Sequence, residues 1–339
     1  MTIREIAEQS NVSIGTVDRV IHHRGGVNRE TEKTILKIIR DNEYRANTFA
    51  RNLKLGRHFH FAVLLPLFNS EANYWELVHQ GLQKAQEELS SMSVSLDYYL
   101  FNREKSGDFT SKFTALRENE PDAILVAPLN AEEMRQAIRT PNLPPTCLID
   151  SAFPSFTPLS TIAQNPFKGG FIAGKIIRLL AKDTGTFVCI QIHPDAFNSY
   201  ERARGFRVNI EQDRRNTVVD MIIKSAEELP RSLEEVLGKD PGIKGIFTVS
   251  SITSEVASSL LAKQLKASIV LVGYDLVPAN REALTNGSID CIISQRPSFQ
   301  GYTAIYQLYR KVVLGQEPES KIEIPIDIFF KENLIDTIE

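Results

Sequence analysis

The sequence predicts an α plus α/β architecture: a helix-turn-helix head of three helices, a hinge helix, and then two doubly wound lobes built on parallel sheets. Three observations carry that prediction. Residues 1–57 place apolar residues at helical spacing, residues 58 onward alternate short β-branched runs with amphipathic stretches, and the charge balance reverses where the pattern changes. The first 57 residues hold 11 Lys plus Arg against 7 Asp plus Glu, a balance of +4, while the other 282 hold 28 against 35, a balance of −7. A basic head on a weakly acidic body is expected when only the head meets a polyanion.

Within the head, Thr2 with Glu5 three residues on has the form of a capping box, and Ile3, Ile6 and Ala7 give the first helix an apolar face. The turn comes at Gln9-Ser10-Asn11. After Val12, Ser13 caps a second helix whose Val17, Val20 and Ile21 face inward, leaving Ile14, Gly15, Thr16, Asp18 and Arg19 for another partner. Two short helices joined by so tight a turn form a helix-turn-helix, with the second sized for the major groove of duplex DNA. Residues 22–27 read as a loop, and Asn28 caps a third helix reaching about residue 42, whose Thr31, Ile35, Ile38 and Ile39 complete a small core. A helix over residues 45–56 is too short to be stable alone in water.

In the body, residues 60–66, 94–101, 123–127, 146–150, 187–192, 218–223, 245–249, 269–273 and 290–293 read as strands. Helical stretches such as 74–89, 167–182, 200–212 and 254–266 separate them. This alternation argues for parallel doubly wound sheets, and about 280 residues exceed what one five- or six-stranded unit needs, so two lobes are expected.

The head resembles the lactose-repressor family of bacterial transcription factors. The resemblance rests on Val12-Ser13-x-x-Thr16-Val17-x-Arg19-Val20, followed by Asn47-x-x-Ala50-x-x-Leu53 at that family's spacing. It implies that the second helix lies in the major groove, with Ile14, Gly15 and Arg19 at base-reading positions and Ile3 nearby. Arg19 suits guanine, because a guanidinium donates two bonds to O6 and N7. Ile14 and Gly15 depart from the larger polar residues common in the family and offer only apolar contact or close approach. Asp18 also departs; a carboxylate facing phosphates would repel them, so it accepts from a cytosine amine or pairs with a nearby arginine. Thr16, His22, Asn28 and Thr31 match positions that touch the phosphate backbone. By the same resemblance, residues 46–57 form a hinge helix that folds on operator DNA, pairs with its twin in a homodimer, and sets Asn47, Ala50 and Leu53 against the minor groove, Leu53 as the wedge.

Residues 58–339 resemble periplasmic sugar-binding proteins of the ribose-binding type (periplasmic-binding-protein type I), which close two lobes on a small ligand. The expected division is a head over 1–45, the hinge over 46–57, an N-lobe over 58–163 plus 297–323, and a C-lobe over 164–295 plus 325–339. The ligand would lie at the carboxyl ends of the strands. Candidate contacts are Asn69, Tyr74, Trp75, Asp150, Asn165, Arg202, Ser250, Asp275 and Gln295. Trp75, the chain's one tryptophan, could stack on an apolar sugar face, Asp150 could accept two hydroxyl bonds, and Arg202 matches the arginine that grips ring hydroxyls in the family. Such a cluster suits a neutral polyol. Arg202 with Arg296 leaves an acidic or phosphorylated sugar open.

Against catalysis, the chain has no G-x-x-x-x-G-K-[ST] loop, no G-x-S-x-G elbow and no H-E-x-x-H pair, and Gly169-Gly170 opens no phosphate-binding fingerprint. Its 6 histidines show no metal-ligand spacing, and its 3 cysteines, Cys147, Cys189 and Cys291, sit singly in expected strands as small core hydrophobes. No cofactor is expected. The start of the chain lacks a charged segment followed by an apolar one, and no run of 18 apolar residues occurs, so a cytoplasmic regulator without membrane contact is expected ahead of an exported solute-binding protein. The partners expected are pseudo-palindromic operator DNA, a sugar-like effector and a second copy of the chain.

Overall fold

The computed structural model describes residues 1, 3–21, 25–42, 57–68 and 74–334. They form two compact units, a head through Arg57 and a body from His58.

In the head, α1 (Ile3–Gln9), α2 (Ile14–Ile21) and α3 (Arg29–Asp41) close over Ile6, Ala7, Val17, Val20 and Ile35, all buried. Asn11 makes the turn in the left-handed region at φ 52°, which asparagine tolerates, while Val12 N–H donates to the Ala7 carbonyl at 3.0 Å. Ser13 Oγ accepts from Thr16 N–H at 3.2 Å and starts α2, and Asn28 Oδ1 accepts from Glu30 N–H at 2.9 Å and starts α3. Thr2, and with it the expected capping box, lies outside the described residues.

The body holds two six-stranded sheets of matching strand order. One sheet has the order β11-β5-β4-β3-β1-β2 and the other β12-β10-β9-β8-β6-β7. Their strands are β1 (Phe59–Pro66), β2 (Val94–Phe101), β3 (Ala123–Val126), β4 (Thr146–Ile149), β5 (Ser160–Gln164) and β11 (Lys321–Ile324) in the N-lobe. The C-lobe holds β6 (Thr186–Ile192), β7 (Thr217–Ile223), β8 (Ile243–Thr248), β9 (Val270–Tyr274), β10 (Cys291–Ser294) and β12 (Asp327–Phe329). Every pairing is parallel except β10 with β12. The inner strands are buried on both faces, which is why they read as unbroken apolar runs.

Helices cover both faces: α4 (Tyr74–Leu89), α5 (Asp108–Glu118) and α6 (Ala131–Ala137) in the N-lobe, then α7 (Pro166–Ala181), α8 (Phe197–Ile210), α9 (Leu229–Lys239), α10 (Thr253–Ala262) and α11 (Pro278–Thr285) in the C-lobe. The last, α12 (Pro297–Val312), returns to pack on α4 and on β3, β4 and β5. The chain therefore crosses between lobes after β5, after β10 and between β11 and β12. Cys147, Cys189 and Cys291 are buried in β4, β6 and β10, and burial pushes the Cys147 thiol up to about 12.

Helices α7 and α8 cross with their backbones nearly touching. A Cβ on Gly170 would collide with the Arg202 carbonyl, and one on Gly205 with the Phe167 carbonyl. This crossing fixes α8, which carries Arg202, against the sheet. Gly170→Ala and Gly205→Ala should each lower unfolding free energy by about 1–3 kcal/mol or more through overpacking. Gly238→Ala, in α9 with nothing within 4 Å of the new Cβ, should raise it by about 0.5–1 kcal/mol. Urea denaturation of the three variants checks both signs.

Candidate functional site

The head presents one face free of core contacts. On α2, Ser13, Ile14, Gly15 and Arg19 are exposed, Ile14 to 44%, while Thr16 and Asp18 are half-buried. Ile3 packs against the small core, Asn28 is exposed, and Thr31 is half-buried. A Cβ on Gly15 would meet only Ser13 Oγ, at 3.7 Å, so nothing within the head requires glycine there. The missing side chain is a property of the outward face alone. His22, Asn47, Ala50 and Leu53 lie outside the described residues.

In the body, the carboxyl ends of both sheets converge on a chamber of about 60 Å³ between the lobes, and Tyr74, Trp75, Asp150, Arg202, Ser250, Asp275 and Gln295 all line it. Two aspartates hold matching places. Asp150 follows β4 and Asp275 follows β9, strands at equivalent positions in the two sheet orders, and both sit in the left-handed region, at φ 69° and 67°. Backbone held there by a non-glycine residue is strained, and here the surrounding bonds impose it. Asp150 N–H donates to Ile162 O at 3.0 Å and to Gln300 Oε1 at 3.1 Å; Asp275 N–H donates to Ile293 O at 2.8 Å.

The side chains form two bonded groups, which Gln300 links through the Asp150 N–H and the Gln295 carbonyl. The Tyr74 hydroxyl and Asn198 Nδ2 each donate to the Asp150 carboxylate at 2.7 Å. Arg202, only 4% exposed, donates to Val249 O at 2.8 Å and to Gln295 Oε1 at 2.9 Å, and its guanidinium lies 3.8 Å over the Tyr274 ring. Gln295 Nε2 donates in turn to Asp275 Oδ1 at 2.9 Å. Burial works against the charge on Arg202, but Tyr274, Asp275 and Asp150 outweigh it and hold its pKa above the ordinary value. Burial, with Asp150 next to it, also drives the Tyr74 phenol well upward, so it stays a donor.

Two polar groups in this chamber have no hydrogen-bond partner among the described residues: Arg202 Nε and Ser250 Oγ. Buried donors and acceptors are ordinarily satisfied, so these two groups are open to a water or a ligand atom.

Asn165 is elsewhere. Its Oδ1 accepts from Lys168 N–H at 3.0 Å and caps α7, with Pro166 at the first helical position, and it does not line the chamber. Asn69 lies outside the described residues. Arg296 faces a different groove, where it is bonded to Asp327 at 2.5 and 2.9 Å. Asn198, Ser199, Arg103 and His193 line the chamber without having been singled out in the sequence. For Asn198 and Ser199 the signal was the helix start: α8 begins at Phe197, three residues ahead of the expected Tyr200.

Arg202→Met should cost about 3–5 kcal/mol of stability, because it leaves the neighbouring carboxylates uncompensated. Ser250→Ala should leave stability within about 0.5 kcal/mol, since the lost hydroxyl bonds nothing. Thermal unfolding of both variants separates the group that builds the chamber from the one that is spare within it.

Comparison with known proteins matches residues 61–317 to "Periplasmic binding protein domain" and residues 2–47 to "Bacterial regulatory proteins, lacI family". The chain is similar to the ribose operon repressor of Halalkalibacterium halodurans, 26% identical over 286 residues, 82% of this chain and 81% of that protein. It is also similar to the HTH-type transcriptional repressor PurR of Pasteurella multocida, 23% identical over 347 residues and 98% of each. Among solved structures, a candidate LacI transcriptional regulator from Bacteroides fragilis has a TM-score of 0.75 at 24% identity, covering 82% of this chain and 98% of that one. A solute-binding protein from Agrobacterium vitis, bound with alpha-D-tagatopyranose, has a TM-score of 0.72 at 22% identity, covering 82% and 96%. These two structures share the fold of the body. Through its body the chain belongs to the periplasmic binding protein domain family, and through its head it is a member of the lacI family of bacterial regulatory proteins.

Proposed function

We propose that this DNA-binding regulator acts as a homodimeric repressor of carbohydrate-utilisation genes, and that a small uncharged sugar or related polyol held between its lobes sets its affinity for operator DNA. The observation that carries the reading is the chamber in which Arg202 Nε and Ser250 Oγ stand without partners between two strand-end aspartates. Fixed acceptors beside fixed donors match hydroxyls, which both donate and accept, and a site built that way rejects analogues lacking them. Charge favours a neutral ligand. Asp150 and Asp275 face Arg202 and Arg103, with no surplus cation for an anion, and Arg296, which would have suited an acidic sugar, is paired with Asp327 in another groove.

Residues from both lobes meet at the chamber, so a ligand there contacts both and stabilises one lobe arrangement over another. Two heads related by a two-fold axis would bind a pseudo-palindrome, with Ile14, Gly15 and Arg19 toward the bases, Ile3 and Asp18 beside them, and Ser13, Thr16, His22, Asn28 and Thr31 at the backbone. The supports are the exposed face of α2 and the match of residues 2–47 to the lacI family. The hinge reading of residues 46–57, with Asn47, Ala50 and Leu53 at the minor groove, rests on the sequence pattern alone.

The test is a fluorescence-anisotropy titration at fixed salt on the palindromic element upstream of the protein's own gene cluster, with and without pentoses, hexoses, uronic acids and sugar phosphates. One uncharged sugar should shift operator affinity roughly 5- to 150-fold, and Asp150→Ala should abolish the shift. Specific binding that no compound shifts would reject the cleft reading; binding no tighter than to random DNA would reject the operator reading. Arg19→Ala should lower operator affinity by about 1–3 kcal/mol and relax discrimination at one base pair, measured against operators varied at single positions.

A further inference from the structure

The chain crosses between the lobes in three places, and one side chain meets all three. Gln164 ends β5, where the first crossing begins. Its Nε2 donates to Ser294 O at the end of β10, where the second begins, and to Pro325 O between β11 and β12, where the third lies, both at 3.0 Å. Its Oε1 accepts from the Tyr274 hydroxyl at 3.1 Å. Both N–H groups and the carbonyl of this amide are therefore engaged. Gln164 is only 5% exposed, so a rotation of one lobe that moves Ser294 O or Pro325 O must re-aim the amide or leave a buried donor unmet.

The partners of Gln164 stand next in sequence to residues of the chamber. Asp275 and Gln295 line the chamber, whereas Tyr274 and Ser294, one residue earlier on β9 and β10, reach Gln164. Successive residues of a strand point to opposite sides, so each strand end carries a chamber-facing group and a crossing-facing group one residue apart. Gln295 Nε2 joins the two strand ends on the chamber side by its bond to Asp275 Oδ1 at 2.9 Å, and Gln164 joins them on the other. The Tyr274 ring also carries the Arg202 guanidinium 3.8 Å over it. Burial pushes the Tyr274 phenol up to about 12, so it remains a donor at neutral pH. Gly169 keeps the hydroxyl–amide contact clear, since a Cβ there would fall 1.7 Å from the Tyr274 hydroxyl and 3.3 Å from Gln164 Oε1.

We propose that Gln164 is the positioning residue of the crossing joint: it holds the three crossings in one mutual arrangement, and the strand ends that carry Asp275 and Gln295 pass a displacement in the chamber to it through the Tyr274 hydroxyl and the Ser294 carbonyl. This rests on the reading that a sugar between the lobes sets operator affinity. It places the coupling on an uncharged amide that does not line the chamber, so sugar binding and the response to sugar are separable by substitution.

The experiment measures, on the full-length protein, sugar affinity by isothermal titration and operator affinity by fluorescence anisotropy at fixed salt. The probes are pentoses, hexoses and the corresponding alditols, D-ribose, D-arabinose, D-allose and D-tagatose among them. With the compound that shifts the unaltered protein, Gln164→Met should bind within about threefold of the unaltered affinity while its shift in operator affinity falls below about twofold. Tyr274→Phe, which removes only the hydroxyl and carries the test if Gln164→Met does not fold, should also have a reduced shift. A full shift in either folded variant overturns the proposal, and so does a loss of shift in Gln164→Met matched by an equal loss of sugar affinity, which would place Gln164 in the binding site itself; both results leave the sugar-responsive reading in place. Absence of a shift by every compound in the unaltered protein overturns both.

Discussion

The guanidinium of Arg202 is the group around which the C-lobe's ligand face is arranged. It ties together the ends of three strands: Val249 after β8 through a carbonyl, Tyr274 of β9 through its ring, and Gln295 after β10 through its amide. Taking such a charge out of water costs several kcal/mol unless close partners offset it, and the offset here comes from Tyr274, Asp275 and Asp150. To bring Arg202 this far inward, α8 must lie against α7 at backbone distance, which is what Gly170 and Gly205 permit. Gly169 serves the same end, since a Cβ there would collide with the Tyr274 hydroxyl. The glycines, the aromatic platform and the cation form one structural unit that leaves Nε of Arg202 buried and without a hydrogen-bond partner among the described residues.

Much of this was legible in the sequence, and the parts that were not share a cause. The inner strands announced themselves because burial on both faces selects continuous apolar runs, as in Phe61 to Leu65. Strand β5 did not, because Ser160, Thr161 and Gln164 are polar, and Gln164 is buried for its amide bonds to the C-lobe rather than for hydrophobicity. Strands β11 and β12 are short and half-exposed, so their pattern is weak. Asp150 and Asp275 could be seen as strand-end carboxylates, but their left-handed backbone is set by long-range bonds such as Gln300 to Asp150, which link residues 150 apart. Asn165 carried a readable cap signal in Asn-Pro-x-Lys, and the helix terminus claims its side chain ahead of any ligand.

The contacts that hold the lobes to each other differ in kind from those that build each lobe. Gln164 Nε2 donates to Ser294 O and to Pro325 O, both at 3.0 Å, and its Oε1 accepts from the Tyr274 hydroxyl at 3.1 Å. Gln300 Nε2 donates to Gln295 O at 2.8 Å. Across the surface, Lys168 pairs with Glu323 at 3.2 Å, exposed enough to be worth about 0–1 kcal/mol. Uncharged amides contribute about 0.5–1.5 kcal/mol each and lose little when they exchange one partner for another or for water. A buried ion pair in the same position would cost about 3–5 kcal/mol to break from one side.

That difference sets the size of signal the body can transmit. A ligand shifts an equilibrium only by its differential affinity for the two states, and coupling between sites is typically about 1–3 kcal/mol. A crossing joint locked by buried ion pairs would stand beyond that reach, whereas the glutamine bonds at the crossing segments lie within it. A charge-assisted bond across the chamber, Asn198 to Asp150 at 2.7 Å, ends on the carboxylate that a ligand hydroxyl would address, so occupancy competes directly with the contact that draws α8 toward β4. The device is therefore asymmetric by construction: each lobe is stiffened by its buried core and, on one side, by a paired cation, while neutral amides make the described hydrogen bonds at the crossing segments. Reciprocity follows without further assumption, since whatever head arrangement favours one lobe angle must change ligand affinity by the same factor that the ligand changes DNA affinity.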